Sequence, residues 1–248
     1  MPPSYHATQS GHRIAYHHRA GEGVGVVFLC GFRSDMDSTK ATALDAFCVT
    51  ENIPYTRFDY FGHGKSDGEF IDYTIGRGLE DTLEILDHIA AREVILVGSS
   101  MGGWIGLHAA LQRKGQVRGL VGVAAAPDFT ERMLERGSPE QRREIMEEGV
   151  TWVYSDYSAS DYPITKNLIE NGRALLLLDN PIPLDVPVHL LQGQEDADVH
   201  WELALTLGDR IVGDDVAITL IKDGDHRLNR PADLTLLMDA VGRMRQPI

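Results

Sequence analysis

Val94-Ile95-Leu96-Val97 runs through Gly98-Ser99-Ser100-Met101-Gly102-Gly103 straight into Trp104-Ile105-Gly106-Leu107-His108-Ala109-Ala110-Leu111. The first part is a short, wholly apolar run, which predicts a strand buried on both faces and too short for a helix. The last part has helical spacing. The joint between them is a Gly-x-Ser-x-Gly pattern, and the chain must reverse there within about four residues. A Cβ at Gly98 or Gly102 would collide with the neighbouring strand or helix. Such a turn raises Ser100 to the carboxyl edge of a sheet. It also aims the amide of Met101, at a helix N-terminus, toward any negative charge forming beside the hydroxyl.

The elements around this joint follow an α/β rhythm. The residues on either side of Gly11 read as an N-terminal hairpin. Val24 to Cys30 is a buried strand, followed by Gly31-Phe32-Arg33 and a helix over about Thr39 to Val49. Pro54 to Asp59 is the next strand and leads into the glycine-rich loop Tyr60 to Gly68. That loop contains Gly64-Lys65-Ser66 but lacks Walker spacing and does not open into a helix, so it is no phosphate cradle. Thr74 caps a helix with Leu79, Leu83, Leu86 and Ile89 on one stripe. Strands at Gly119–Ala124, Val186–Leu191 and Val216–Ile221 follow, and a last helix starts at Pro231. Apolar strands alternating with helices predict an α/β fold with a mostly parallel sheet covered on both faces.

From Pro127 to Asp185 the rhythm breaks. Ser138-Pro139-Glu140-Gln141 is a capping box with proline at the first helical position. The aromatic residues Trp152, Tyr154, Tyr157 and Tyr162 follow, then an expected helix ending in Leu175 to Leu178. Residues 127–185 are therefore expected to form a helical lid on a core made of residues 1–126 and 186–248.

The net charge of −14, with no basic tract to offset it, argues against nucleic-acid and anionic-membrane partners. Cys30 and Cys48 are too few for a disulfide framework and have no metal-ligand spacing, so both are expected reduced and partly buried. No run reaches membrane-spanning length. The start, Met1-Pro2-Pro3-Ser4-Tyr5-His6, lacks a signal-peptide core, and the expectation is a cytoplasmic protein.

A serine hydroxyl needs a base to become a nucleophile, and the base needs a group that fixes its tautomer. Asp196 and His226 each lie just past a strand end, on the same carboxyl edge as Ser100, where ligands bind in such sheets. Asp198, and more weakly Glu195, compete with Asp196 for the acid. Asp225 adjoins the base, but its side chain should diverge from it. The oxyanion donors are the amides of Met101 and of Phe32, which ends the first buried strand. Arg33, Met133 and Trp152 are assigned to substrate binding.

These stretches together resemble the α/β-hydrolase-fold serine hydrolases, over nearly the full chain. The residues that carry the resemblance are Asp59-Tyr60-Phe61-Gly62-His63-Gly64-Lys65-Ser66, Gly98-Ser99-Ser100-Met101-Gly102-Gly103, Gly193-Gln194-Glu195-Asp196 and Asp225-His226. Ser100, Asp196, His226 follow the chain order of that family. Gly193, Asp196 and Val199 match its Gly-x-x-Asp-x-x-Val loop, which favours Asp196 over Asp198. Cys30 departs from the family's usual His before Gly31, which a backbone donor does not need. Gly31-Phe32-Arg33-Ser34-Asp35-Met36, Arg57-Phe58-Asp59-Tyr60 and Asp225-His226-Arg227 are similar to the subfamily of the mitochondrial palmitoyl-protein thioesterase that also hydrolyses acyl glucuronides.

The resemblance implies a serine hydrolase of carboxylic esters or thioesters, acting through an acyl-enzyme on Ser100, with small-molecule or protein-bound acyl substrates. No metal or organic cofactor is expected. A C–C bond hydrolase or aminopeptidase with the same three residues, and a non-catalytic receptor on the same scaffold, remain open alternatives.

Overall fold

The computed structural model describes residues 2–154 and 161–245, so Tyr157 lies outside the described residues. Its main sheet has eight strands. In chain order these are β1 (Ser4–Ala7), β2 (Arg13–Arg19), β3 (Gly25–Leu29), β4 (Tyr55–Phe58), β5 (Val94–Ser99), β6 (Val117–Val123), β9 (Val188–Gly193) and β10 (Val216–Ile221). β1 pairs with β2 and β2 with β4 in antiparallel fashion, which makes the N-terminal hairpin one edge of the sheet. The other neighbours, β4-β3-β5-β6-β9-β10, are parallel.

The connections decide which face each helix covers. The step from β3 to β4 runs across the sheet in the opposite direction to the steps β4 to β5, β5 to β6 and β9 to β10. Right-handed crossovers therefore put α1 (Thr39–Thr50) on one face, and α2 (Ile75–His88), α3 (Met101–Gln112) and α7 (Glu202–Arg210) on the other. The terminal helix α8 (Pro231–Met244) packs beside α1. β3 and β5 are buried at every residue, as their unbroken apolar runs require. The elbow helix α3 is sandwiched in the same way, with Trp104, Ile105, Leu107 and Ala109 fully buried. Ile105 and Leu107 each stabilise the fold by about 1.5–3 kcal/mol relative to exposure. Thr74 caps α2 by accepting from the Arg77 amide. Cys30 and Cys48 are free thiols, both buried.

Residues 127–185 hold α4 (Phe129–Arg136), α5 (Pro139–Arg143), a π-helical turn at Glu144–Glu148, the antiparallel pair β7 (Val150–Val153) and β8 (Tyr162–Thr165), and α6 (Lys166–Arg173). Both halves of the Ser138–Gln141 capping box form at the start of α5. Two expectations need correction. The segment is not wholly helical, because the β7–β8 ribbon pairs within it. The helix also stops at Arg173, and Leu175 to Leu178 do not continue it. Those residues are tied down from outside. The Leu175 carbonyl accepts from Trp104 Nε1 (3.0 Å) and His108 Nε2 (2.8 Å) on α3, and the Leu177 and Leu178 amides both donate to the Asp128 carboxylate. Ile145, Ile164 and Ile169 form a small core of this segment's own, with Met133 packed against it.

Candidate active site

Ser100 sits at the turn between β5 and α3 with φ 54° and ψ −117°. That is a left-handed backbone which a non-glycine residue adopts only under constraint. Two glycines make the constraint possible. A Cβ on Gly98 would lie 2.3 Å from the Gly102 carbonyl oxygen, and one on Gly102 would lie 2.1 Å from the Leu29 carbonyl oxygen. The turn is locked by Ser100 N donating to Val123 O (2.9 Å), and by Gly103 N and Ala126 N donating to Ser100 O (2.9 and 3.1 Å).

The Ser100 hydroxyl lies 3.2 Å from His226 Nε2, and His226 Nδ1 lies 2.8 Å from Asp196 Oδ2. The Asp196 carboxylate also accepts from Gln192 Nε2 (2.9 Å), Asp198 N (2.9 Å) and Val199 N (2.8 Å). Burial alone would push this carboxyl up. The His226 hydrogen bond and charge, with the Val199 amide and Gln192, outweigh it and hold Asp196 below the ordinary carboxylate range. An ionised Asp196 can only accept, so His226 donates from Nδ1, and its Nε2 lone pair is left to accept the Ser100 hydroxyl proton. The Asp196 and His226 loops are stitched together by Glu195 N donating to Gly224 O and Gln194 N to Ile221 O, both at 2.9 Å.

Asp198 contributes only its amide to that carboxylate, and its own carbonyl accepts from Arg136 Nη1 (3.0 Å). Oxygens of Asp196 and Asp198 and a nitrogen of His226 lie within 4.8 Å of one another, a grouping that could hold a cation. Two of those three residues are, however, already engaged in the Ser100 chain.

Gly31 brings the second expected oxyanion donor alongside. A Cβ there would touch Ser99 O and Ser100 Cβ at 3.3 and 3.4 Å, so the Phe32 amide begins directly beside the Ser100 turn. As the first residue of α3, Met101 has an amide with no carbonyl one turn earlier to bind. The loop is shaped by Arg33, which has φ 60° and donates its amide to His63 Nε2 (3.3 Å). His63 Nδ1 donates to the Phe61 carbonyl (3.0 Å), so the ring is held neutral, and burial pushes its pKa down to about 4. Sequence reading assigned His63 no role of its own, placing it only within the Asp59 to Ser66 stretch that carries the family resemblance. That loop wraps a carboxylate of its own, not a phosphate: Asp59 accepts from Met36 N (2.7 Å) and Lys65 N (2.8 Å).

The Phe32 ring is the hub of an aromatic cluster, with Phe70 at 5.0 Å, Phe129 at 5.6 Å, Tyr162 at 6.1 Å and Tyr73 at 6.5 Å between centroids. The Arg33 guanidinium lies 4.3 Å over the Tyr162 ring, so it meets the segment 127–185. The other two expected substrate residues stand elsewhere. Met133 packs into the insertion's own core, and Trp152 is 56% exposed on β7. From the same segment, Phe129 at the start of α4 is the ring that reaches Phe32.

Residues 26–235 match the alpha/beta hydrolase family. A Bos taurus protein named palmitoyl-protein thioesterase ABHD10, mitochondrial, is 40% identical over 226 residues, which is 91% of this chain and 74% of that protein. Its Homo sapiens counterpart is 38% identical over the same shares. Mouse alpha/beta hydrolase domain-containing protein 10 superposes with a TM-score of 0.90 at 36% identity, covering 98% of each chain. A crystal structure of an Agrobacterium vitis S4 protein superposes with a TM-score of 0.93 at 40% identity, covering 99% of this chain and all of that one. The relatives named as mitochondrial overturn the cytoplasmic expectation, which rested on the lack of an apolar N-terminal core and of a membrane-spanning run. With the family matched across most of its length and relatives this similar, the chain belongs to the alpha/beta hydrolase family.

Proposed function

We propose that Ser100, His226 and Asp196 form the catalytic triad of this hydrolase, with the Met101 and Phe32 amides as its oxyanion hole and long-chain acyl thioesters as its preferred substrates. The protein is a serine hydrolase of esters and thioesters, and the proposal concerns which residues do the chemistry and which acyl group they take. The observation that carries it is the continuous chain from Asp196 through His226 to a hydroxyl held at positive φ.

In this reading Ser100 Oγ attacks the acyl carbonyl carbon while His226 Nε2 takes its proton. The oxyanion of the tetrahedral intermediate is held by the two amides, one such donor being worth about 3 kcal/mol. On collapse the thiol or alcohol leaves with the proton from His226. Water, deprotonated by the same nitrogen, then attacks the acyl-enzyme, and the carboxylic acid departs. Asp196 stays ionised throughout and stabilises the imidazolium.

The acyl preference rests on the aromatic cluster around Phe32 and on the names of the relatives. Residues 127–185 supply Phe129 and Tyr162 to that cluster, and this is the basis for reading the segment as the roof of an acyl site. An apolar chain among these rings gains about 0.8 kcal/mol per buried methylene until the space is full. Hydrolysis of a series of acyl thioesters from acetyl to palmitoyl tests it. kcat/KM should climb with chain length, and a flat or falling series would overturn the acyl assignment. No helix among the described residues is long and apolar enough to cross a membrane.

A further inference from the structure

Lys40 occupies the first turn of α1, yet it is only 8% exposed. Its ammonium donates to the Arg227 carbonyl at 2.5 Å and to Asn229 Oδ1 at 3.3 Å, 187 and 189 residues further along the chain. No carboxylate lies within ion-pair distance of it among the described residues. Taking a lysine out of water without a paired carboxylate is costly, and a Leu or Met would fill the same volume without that penalty. The acceptor it has found is the carbonyl of Arg227, the residue directly after His226.

The rest of the loop makes that placement meaningful. After β10 the chain must turn so that His226 leans back over two strands toward Ser100. Asp225 Oδ1 accepts from the Arg227 and Leu228 amides at 3.1 and 2.9 Å, and Leu228 has φ 45°. Glu195 N holds Gly224 from the acid loop. These bonds fix the loop from its own side chain and from β9, and Lys40 is the anchor from the opposite helix layer.

We propose that Lys40 is a positioning residue for His226, holding the Arg227 carbonyl so that the imidazole stays within reach of Ser100. This rests on the assignment of His226 as the base. Burial pushes the Lys40 pKa down to about 8, opposed by Asp225 on the same loop and Asp233 on α8, and aided by Arg227. Asp45, on α1 itself, is engaged by Arg19 and Arg57. Loss of the Lys40 proton weakens the grip on the carbonyl, so kcat falls on the alkaline side, in the region of pH 8.

The test is kcat and KM against pH for the full chain and for Lys40→Met and Lys40→Arg, with thermal unfolding and the rate of fluorophosphonate labelling at Ser100 followed in parallel. Lys40→Met should lower kcat by about 10- to 100-fold, the scale of a misplacement of about 1 Å, with KM within about twofold. Its labelling rate per folded molecule should fall with kcat. Lys40→Arg, whose guanidinium does not titrate in this range, should carry the alkaline limb upward by more than about one pH unit. Wild-type kcat in Lys40→Met, an alkaline limb unmoved in Lys40→Arg, or an activity loss that only tracks loss of folded protein would each overturn the proposal. Failure of the triad itself reads differently: Ser100→Ala would then remain active, whatever the Lys40 variants do.

Discussion

His226 Nε2 and Ser100 Oγ meet at 3.2 Å across 126 residues of chain. Their strands, β10 and β5, are three positions apart in the sheet, about 14 Å at the usual spacing. The gap is closed by the loop after β10, which doubles back over β9 and β6. It is held there by the acid loop, by Asp225 and by Lys40.

Ser100→Ala should lower kcat by about 10⁴-fold or more, because hydroxyl and base act as one unit. Labelling by a fluorophosphonate probe should vanish with it. Activity retained together with label on another serine would remove Ser100 from its assigned role.

The two neighbouring aspartates should behave differently. Asp196→Asn places an amide where the ionised acceptor of His226 Nδ1–H stood, and the imidazole is then driven to the wrong tautomer. kcat should fall by about 10⁴-fold. Asp198→Asn leaves its amide bond to the Asp196 carboxylate in place and should keep kcat near wild type. Steady-state kinetics on the two variants decides between them, and the reverse order of severity would shift the acid to Asp198.

His63 should make the fold acid-sensitive. Its pKa falls from 6.5 in the unfolded chain to about 4 in the folded protein. Between those values the unfolded state binds the proton and the native state does not, so stability is complete above about pH 6.5 and declines as pH drops toward 4. The loss attributable to this ring is about 3 kcal/mol. Urea unfolding at a series of pH values should show that slope, and in His63→Asn it should flatten by about one proton. An unchanged slope would mean that other groups carry the acid sensitivity. Because His63 also accepts from the Arg33 amide, the same variant should weaken kcat more than KM.

Phe129→Ala should raise KM for palmitoyl thioesters while leaving acetyl ester turnover close to wild type. Trp152→Ala, at an exposed position on β7, should change neither. Equal losses on short and long chains in Phe129→Ala would indicate that the ring supports the fold and does not select the acyl group.

The Ser100 turn was legible in the sequence because its causes are local. Gly98 and Gly102 are required by backbone contacts at that turn, and the apolar run before Ser100 can only be a strand buried on both faces. The alternation of such strands with helices was enough to imply the parallel sheet, and the Thr74 and Ser138 caps could be read because a cap bonds within its own turn. The insertion was less legible. β7 and β8 are four residues each, with Pro163 in the second, and carry no period long enough to announce a ribbon. Leu175 to Leu178 look helical by composition, but bonds from Trp104, His108 and Asp128 hold them otherwise. Trp152 looked like a pocket residue for its apolar bulk, yet which face of a short strand it occupies depends on register alone. Lys40 gave no local sign of burial, since its partners, the Arg227 carbonyl and Asn229, lie 187 and 189 residues further along the chain. His63 is enclosed partly by the nearby rings of Tyr60, Phe70 and Tyr73, but the Arg33 amide that it accepts from is 30 residues away. Turn geometry and strand burial are set by neighbours in sequence. The identity of a buried polar partner is set by which distant peptide the packed fold brings to it, and only the tertiary structure decides that.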